Sequence, residues 1–352
     1  QTHQRLLSLS LEHVQLSLDR GPEDLRLEQV GRAHGLATHI QELLRHGEGR
    51  VEPDQSLLAH RRQLPREPFR VEEANHLECD LVPRLARALE GMEASAAAGD
   101  LEHALRNAHF AMIDPLEACD LDAVYATMAH AQPWHDGLRQ PQLEWARSLF
   151  LGTLAMRAGR VGEASRLVDE ARDFGLDVQP VPTVGFHTMQ RFGLSRLVAV
   201  ADPGLGQLPG ATGPTSGSMR TTIEACSAWT ALAGGDDGPA RKLLAGGVAA
   251  LEALPRDVFW KCTVALWGDL AAHLGEPGIA SWAGSQLAPL RGTGVLLAYA
   301  AAYLGPVDRY LAVTAEACGR PEEADAAFAR ALALEEAGDH PGEGAAAEIR
   351  VR

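Results

Sequence analysis

Apolar residues recur at helical spacing along most of the chain after residue 71, with short breaks at glycine and proline. The clearest case is 305–341, where two amphipathic patterns, 307–317 and 322–336, flank a short break. Within the second pattern, four residues fall at i, i+4, i+7 and i+8, the spacing of a buried helix face: Ala324, Phe328, Ala331 and Leu332. Gly319 suits the end of one helix and Pro321 the first turn of the next. The pattern predicts a helical hairpin.

The same register recurs behind five turn glycines. A small residue stands five positions after each glycine, and apolar or small residues stand at positions nine and twelve. The glycines are Gly99, Gly159, Gly235, Gly275 and Gly319, and the residues at the fifth position are Ala104, Ala164, Ala240, Ala280 and Ala324. Small residues let two helix backbones approach closely, so the register has a packing cause. The Ala-x3-Phe-x2-Ala spacing resembles the second helix of a tetratricopeptide (TPR) repeat.

This recurrence predicts an all-α fold, a right-handed α-solenoid of TPR-like hairpins. Residues 1–70 are expected to form less regular N-terminal helices of the array. Repeats are expected over 71–201 and 219–340, with a Gly/Pro-rich loop at 202–218 and a frayed tail at 341–352.

Four local features complete the pattern. Pro115 is expected to stop a helix, and 132–137 and 175–183 are expected to be loops. The apolar stretch 295–304 is open to two interpretations, an interposed helix or an irregular buried segment.

Two distant segments, 138–171 and 304–336, together with 251–267 between them, resemble the C-terminal helical-repeat region of large actinobacterial regulators. These are LuxR-type (LAL, MalT-like) activators and related signal-transduction ATPases, and the resemblance covers about 75–340. It implies the sensor or scaffold part of a transcription regulator. Such regulators carry a nucleotide-binding domain before the repeats and often a helix-turn-helix after them. This sequence has no G-x4-G-K-[ST] motif, and its tail is too short and acidic for a DNA-reading helix pair.

Composition restricts the classes of partner that we expect. A net charge of −15 argues against direct contact with nucleic acid, because phosphate binding needs clustered cations. Five isolated cysteines without a C-x-x-C pair suggest reduced thiols and a cytoplasmic location. No signal peptide and no apolar run long enough for a membrane span is visible. We therefore expect a peptide, protein or small-molecule effector as partner, with no membrane contact, and homo-oligomerisation remains open.

Candidate chemistry is sparse. The fourteen histidines include no H-E-x-x-H motif and no i, i+4 pair among the closely spaced ones, so we expect no metal and no cofactor. The acids Asp236, Asp237, Glu322 and Glu323 begin predicted helices, where carboxylates favour the positive end of the dipole. The acidic run 117–122 could line a site.

Four tryptophans are groove candidates, with packing between hairpins as the alternative: Trp145, Trp229, Trp260 and Trp267.

No catalytic motif is present, so we expect binding rather than catalysis. The first hypothesis is a ligand- or partner-binding repeat domain of a transcriptional regulator. The second is a stand-alone TPR-like scaffold for protein–protein interaction. An enzyme on a helical toroid is a third, and it would require titratable groups clustered in one cavity.

Overall fold

The computed structural model describes residues 81–198 and 217–337, all within one compact unit of the chain. The segments predicted at 1–70 and 341–352, and all of the predicted loop 202–218 but its last two residues, lie outside these residues. The described part contains thirteen α-helices, a short 3-10 helix and two strands. The predominantly helical fold is therefore confirmed.

The first six helices precede the gap at 199–216. They are α1 (Leu81–Ala97), α2 (Leu101–Glu117), α3 (Leu121–Leu138), α4 (Pro141–Arg157), α5 (Val161–Val178) and α6 (Pro180–Leu197). Neighbours pack side by side: α1 on α2, α2 on α3, α4 on α5, and α5 on α6.

Seven helices follow the gap. They are α7 (Gly217–Ala233), α8 (Gly238–Leu244), α9 (Gly247–Glu252), α10 (Trp260–Leu274), α11 (Pro277–Leu287), α12 (Val307–Ala317) and α13 (Pro321–Ala337), with the 3-10 turn Ala288–Leu290 after α11. Strands β1 (Gly294–Leu297) and β2 (Ala302–Pro306) lie between α11 and α12. The helices α10, α11 and α12 contact one another, and α13 packs on α12.

The turn glycines and the alanines of the predicted register have the conformation and the burial that a helical hairpin requires. All five turn glycines have left-handed backbones, with φ between 66° and 90°. The alanine five residues later is buried in every case, at 0% to 3% exposure. Because only a small side chain fits where two helices touch closely, these alanines set the distance between the helices of each hairpin.

Helix α2 continues past the predicted stop at Pro115 and ends at Glu117. Proline removes one backbone donor and crowds the preceding turn, so the helix needs compensation from packing. Leu116 is completely buried, and the side chain of Asp114 bonds to Arg84 of α1. Cys119 then takes the left-handed position that ends the helix, with φ 61°, where the five turns of the shared register have glycine. Burial of the last turn outweighs the local proline signal.

The predicted loops at 132–137 and 175–183 are also wrong. Helix α3 runs through Pro133 because Trp134 and the following turn pack against α1 and α2. Helices α5 and α6 are separated by Gln179 alone, and Pro180 occupies the first turn of α6, where its missing N–H costs nothing. Gly175 lies against Trp145 and Thr183, so the joint closes tightly where a nine-residue loop was expected.

The apolar stretch 295–304 is neither a helix nor an irregular segment. Strands β1 and β2 pair antiparallel, with Leu296 opposite Tyr303 and Leu297 opposite Ala302. Every residue of both strands is buried. This pair, here called the central hairpin (294–306), contacts α2, α4 and α6 from before the gap and α10, α12 and α13 from after it.

Candidate functional site: the central hairpin and its lining

Helix side chains bond directly to the backbone of the central hairpin. Tyr310 donates to the carbonyl of Leu304 at 2.7 Å, and Lys261 donates to the carbonyl of Gly294 at 2.8 Å. A two-stranded sheet leaves two rows of backbone groups without strand partners, and buried ones need other partners. The helices thus bind the hairpin as an extended segment.

The tip of the hairpin is strained. Ala298, Tyr299 and Ala300 all have positive φ, at 37°, 39° and 61°. Each left-handed non-glycine residue costs about 1–2 kcal/mol, so the surroundings must hold the tip in place. The hydroxyl of Thr153 on α4 lies 2.7 Å from the carbonyl oxygen of Ala300 and 2.9 Å from that of Ala301, closer than the 3.3 Å to the carbonyl of Leu149 in its own helix.

Aromatic side chains meet the tip at the surface. Tyr299 is half-buried and packs edge-on against Phe110 of α2, with ring centroids 6.5 Å apart. Phe110 is 39% exposed. The neighbouring His109 packs edge-on against Phe150 at 5.7 Å, and burial, with a smaller contribution from His135, lowers the pKa of His109 to about 4. The imidazole is therefore neutral near pH 7.

A four-residue ionic cluster lies near the hairpin base. Glu117, at the end of α2, accepts from Arg84 at 2.7 Å and is paired with Lys261 of α10. Arg84 also bonds to Asp114. Burial alone would raise the pKa of Glu117, but the two cations outweigh it and lower the pKa. For Asp114, burial outweighs the attraction of Arg84, and the pKa is raised to about 6.

A second ionic cluster joins α4, β2 and α13. Arg157 donates to Glu335 at 2.5 Å and to the carbonyl of Leu334 at 2.8 Å. The hydroxyl of Tyr303 donates to the other carboxylate oxygen of Glu335 at 3.0 Å, and the guanidinium lies over the Tyr303 ring. The side chains of Arg157 and Glu335 are only 1% and 2% exposed. Two helices distant in sequence are thus held to one strand by a buried charge pair.

A third pair connects the helices on either side of the gap. Arg196 of α6 bonds to Asp269 of α10 at 2.6 Å. The same guanidinium lies 4.5 Å from the ring centroid of Trp229, and Phe192 packs edge-on against that ring. Trp229 therefore belongs to a packed contact between α6, α7 and α10.

The other three tryptophan candidates are buried. Trp145 is 5% exposed and packs edge-on against Phe186, and Trp267 is 2% exposed within the largest core cluster. Trp260 is 4% exposed, with the guanidinium of Arg256 4.4 Å from its ring centroid. Trp260 and Trp267 belong to one core cluster, which Trp229 also contacts, whereas Trp145 belongs to another. A ligand-binding role for these side chains stays a prediction.

The acids of the run 117–122 have different surroundings. Glu117 belongs to the ionic cluster at the hairpin base, whereas Asp120 accepts from the backbone N–H of Ala123 at 3.0 Å and caps α3. Asp122 is exposed in the first turn of α3. Glu322 and Glu323 lie in the first turn of α13, as expected.

Over the described residues, no group of three or more histidine, cysteine, aspartate or glutamate side chains could hold a metal ion. The four cysteines in this part of the chain are free thiols, and Cys226 and Cys262 are buried. None of the described helices is long and apolar enough to cross a membrane.

Around the hairpin, acidic and basic side chains pair with one another. Such an arrangement can hold and orient a segment.

Comparison with known proteins adds no family assignment: no family model, curated protein or solved structure matches this chain.

Sequence reasoning missed the hairpin as a site. A strand buried on both faces has no polar–apolar alternation, and its turn residues, Ala298, Tyr299 and Ala300, carry no hairpin signal. The glycines at 292, 294 and 305, around a run that holds Val295, Tyr299 and Tyr303, were the available indication.

Proposed function

We propose that this chain is the binding domain of a regulator, a helical-repeat array that receives a peptide, a partner protein or a small effector. Its hairpins would stack as a right-handed α-solenoid of the TPR kind. The shared register of five turn glycines and five buried alanines supports this arrangement. The resemblance of 138–171 and 304–336 to the repeat region of LuxR-type regulators supports a role in transcription control.

The central hairpin is the observation that carries the proposal. Strained backbone persists only where the surrounding structure holds it, and it is concentrated at ligand clamps and switch regions. The strained tip of this hairpin reaches the surface beside Phe110, and its strands contact helices from both sides of the gap. A ligand at the tip would therefore change the packing of both groups of helices. That change is the proposed signal to attached domains.

A thermal-shift screen against metabolites, nucleotides and partner-derived peptides tests this proposal. A ligand at one hundred times its dissociation constant should stabilise the fold by about 2.7 kcal/mol. The same titration is then run on Thr153→Val, which removes the contact with the tip carbonyls. The matched control is Thr188→Val, because Thr188 makes a comparable bond to its own helix, 2.7 Å to the carbonyl of Val184, and does not hold the hairpin.

We expect Thr153→Val to weaken binding and Thr188→Val to leave it unchanged. Equal affinity in both variants would show that the hairpin takes no part in binding. A screen with no stabilising compound would count against a small effector and favour the second candidate.

The second candidate is a scaffold for protein–protein interaction. Four apolar side chains near the joint between α5 and α6 are exposed: Phe174 at 39%, Leu176 at 45%, Val181 at 84% and Val184 at 47%. Apolar surface grouped in this way often marks an interface. The test is light scattering and pull-down with the wild type and Val181→Asp. A scaffold that uses this surface should lose its partner, or its second copy, in the variant.

A further inference from the structure

We infer that the base of the central hairpin carries an oxyanion-binding site, formed by Arg291 and Arg330 on either side of Asp308. These three residues are here called the Asp308 clamp. The inference rests on the proposed binding function, because it assigns to the hairpin region the chemical class of its ligand: a phosphate or carboxylate group.

The carboxylate of Asp308 is the anchor of the clamp. Its side chain is 0% exposed, and it lies in the first turn of α12 directly after β2. One oxygen accepts from Nε of Arg330 at 2.7 Å and lies 3.9 Å from Nε of Arg291. The other accepts from the backbone N–H of Gly292 at 2.8 Å, just before β1. A buried carboxylate thus hydrogen-bonds to the guanidinium of Arg330 and to the start of the hairpin, with the guanidinium of Arg291 close beside it.

One carboxylate neutralises one guanidinium, so the clamp keeps a surplus positive charge within a chain of net charge −15. Arg291 is 53% exposed and Arg330 is 36% exposed. Within the part of the chain that the structure describes, Asp308 is the ion-pair partner of both arginines. Each arginine approaches its carboxylate through Nε. The terminal Nη groups of each guanidinium are therefore available to a ligand.

Two adjacent guanidiniums match a planar carboxylate or a phosphate better than separate lysines would. Their N–H donors have a fixed fork geometry, and charge-assisted bonds of this kind are about twice as strong as neutral ones. The buried aspartate holds Arg330 in place before the ligand arrives, which lowers the entropy cost of binding. A bound oxyanion would draw Arg291, on the loop before β1, toward Arg330 of α13.

Isothermal titration calorimetry of the full chain tests the site, at constant ionic strength set with chloride. Inorganic phosphate is the probe in one arm and acetate in the other, which separates a phosphate-bearing from a carboxylate-bearing ligand. We expect saturable binding in one arm and about a tenfold loss of affinity in Arg291→Gln. Arg291 is the first choice for substitution because Asp308 keeps Arg330 and Gly292 as partners.

Arg320→Gln is the matched control. Arg320 is 43% exposed and paired with Glu323, so the variant removes one positive charge away from the clamp. It should change affinity less than twofold. Arg330→Lys, which keeps the charge but loses the fork, should weaken binding while circular dichroism confirms its fold.

Equal losses in Arg291→Gln and Arg320→Gln would overturn the inference, because they would indicate attraction by overall charge alone. Absence of saturable binding in both arms would overturn it as well. Either failure leaves the comparison of Thr153→Val with Thr188→Val intact, so the proposed function is tested separately.

Discussion

Replacing Arg157 by methionine would remove one half of an ion pair that is almost completely withdrawn from water. Glu335 would remain 2% exposed, with Tyr303 as its hydrogen-bond donor and without its ion-pair partner; Arg309 would be the cation still acting on its carboxylate. Breaking a buried pair on one side costs about 3–5 kcal/mol, because the remaining charge has lost both water and its partner. We expect Arg157→Met to lose stability of that size at pH 8.

The loss should depend on pH in a defined direction. Burial raises the pKa of Glu335, and Arg157 opposes that rise. Without the arginine, the folded-state pKa moves further above the unfolded value. Such a group contributes stability below its unfolded pKa and loses it as pH rises through the folded pKa. The deficit of Arg157→Met should therefore shrink as the pH is lowered from 8 to 5.

Urea unfolding followed by circular dichroism at several pH values measures this effect. The double variant Arg157→Met with Glu335→Leu removes both charges and should recover most of the stability, because an apolar pair of similar volume avoids the desolvation cost. The control is Arg166→Met. Arg166 and its partner Glu170 are 59% and 57% exposed, and such a surface pair contributes about 0.5 kcal/mol or less. Equal costs for Arg157→Met and Arg166→Met would refute this reasoning, as would a double variant no more stable than the single one.

Three further predictions concern backbone and titration. Gly175→Ala should destabilise the chain by about 1–3 kcal/mol in urea unfolding, because its new Cβ would collide with Trp145, whereas Gly185→Ala meets no atom within 4 Å and should be neutral or stabilising. Ala298→Gly should raise stability by about 1 kcal/mol by relieving a left-handed alanine; a lower melting temperature would count against strain at the tip. The depressed pKa of His109 should make stability fall as pH drops from 6.5 toward 4, since the unfolded state binds the proton more readily; His109→Gln should flatten that slope in unfolding curves, and an unchanged slope would assign it to other groups.

The Asp308 clamp and the two ionic clusters share one physical feature: each ties the central hairpin, or the helices around it, together through charges from distant parts of the sequence. Arg157 and Glu335 are an example, because they lie on α4 and α13. Buried pairs of this kind add little net stability over apolar packing, but breaking one side is expensive. They therefore favour one arrangement of the hairpin among its helices.

Helix–turn–helix units were predictable because their signals are local. A glycine that must be left-handed and an alanine five residues later, such as Gly159 and Ala164, depend only on the geometry of one hairpin. The predictions at Pro115 and at 175–183 failed for the opposite reason. There, local breaker signals were outweighed by the burial of Leu116 and by the contact of Gly175 with Trp145, which a linear pattern does not contain.

By itself, then, the sequence determined the helical class and the positions of the five glycine turns, because periodicity and turn glycines act over a few residues. The tertiary structure alone decided that 294–306 is a hairpin among the helices, since strands buried on both faces have no alternation. It also decided that Glu117 meets Lys261 and that Asp308 meets Arg291 and Arg330. Opposite charges pair wherever the fold brings them close, and the sequence separation between them carries no signal of that distance.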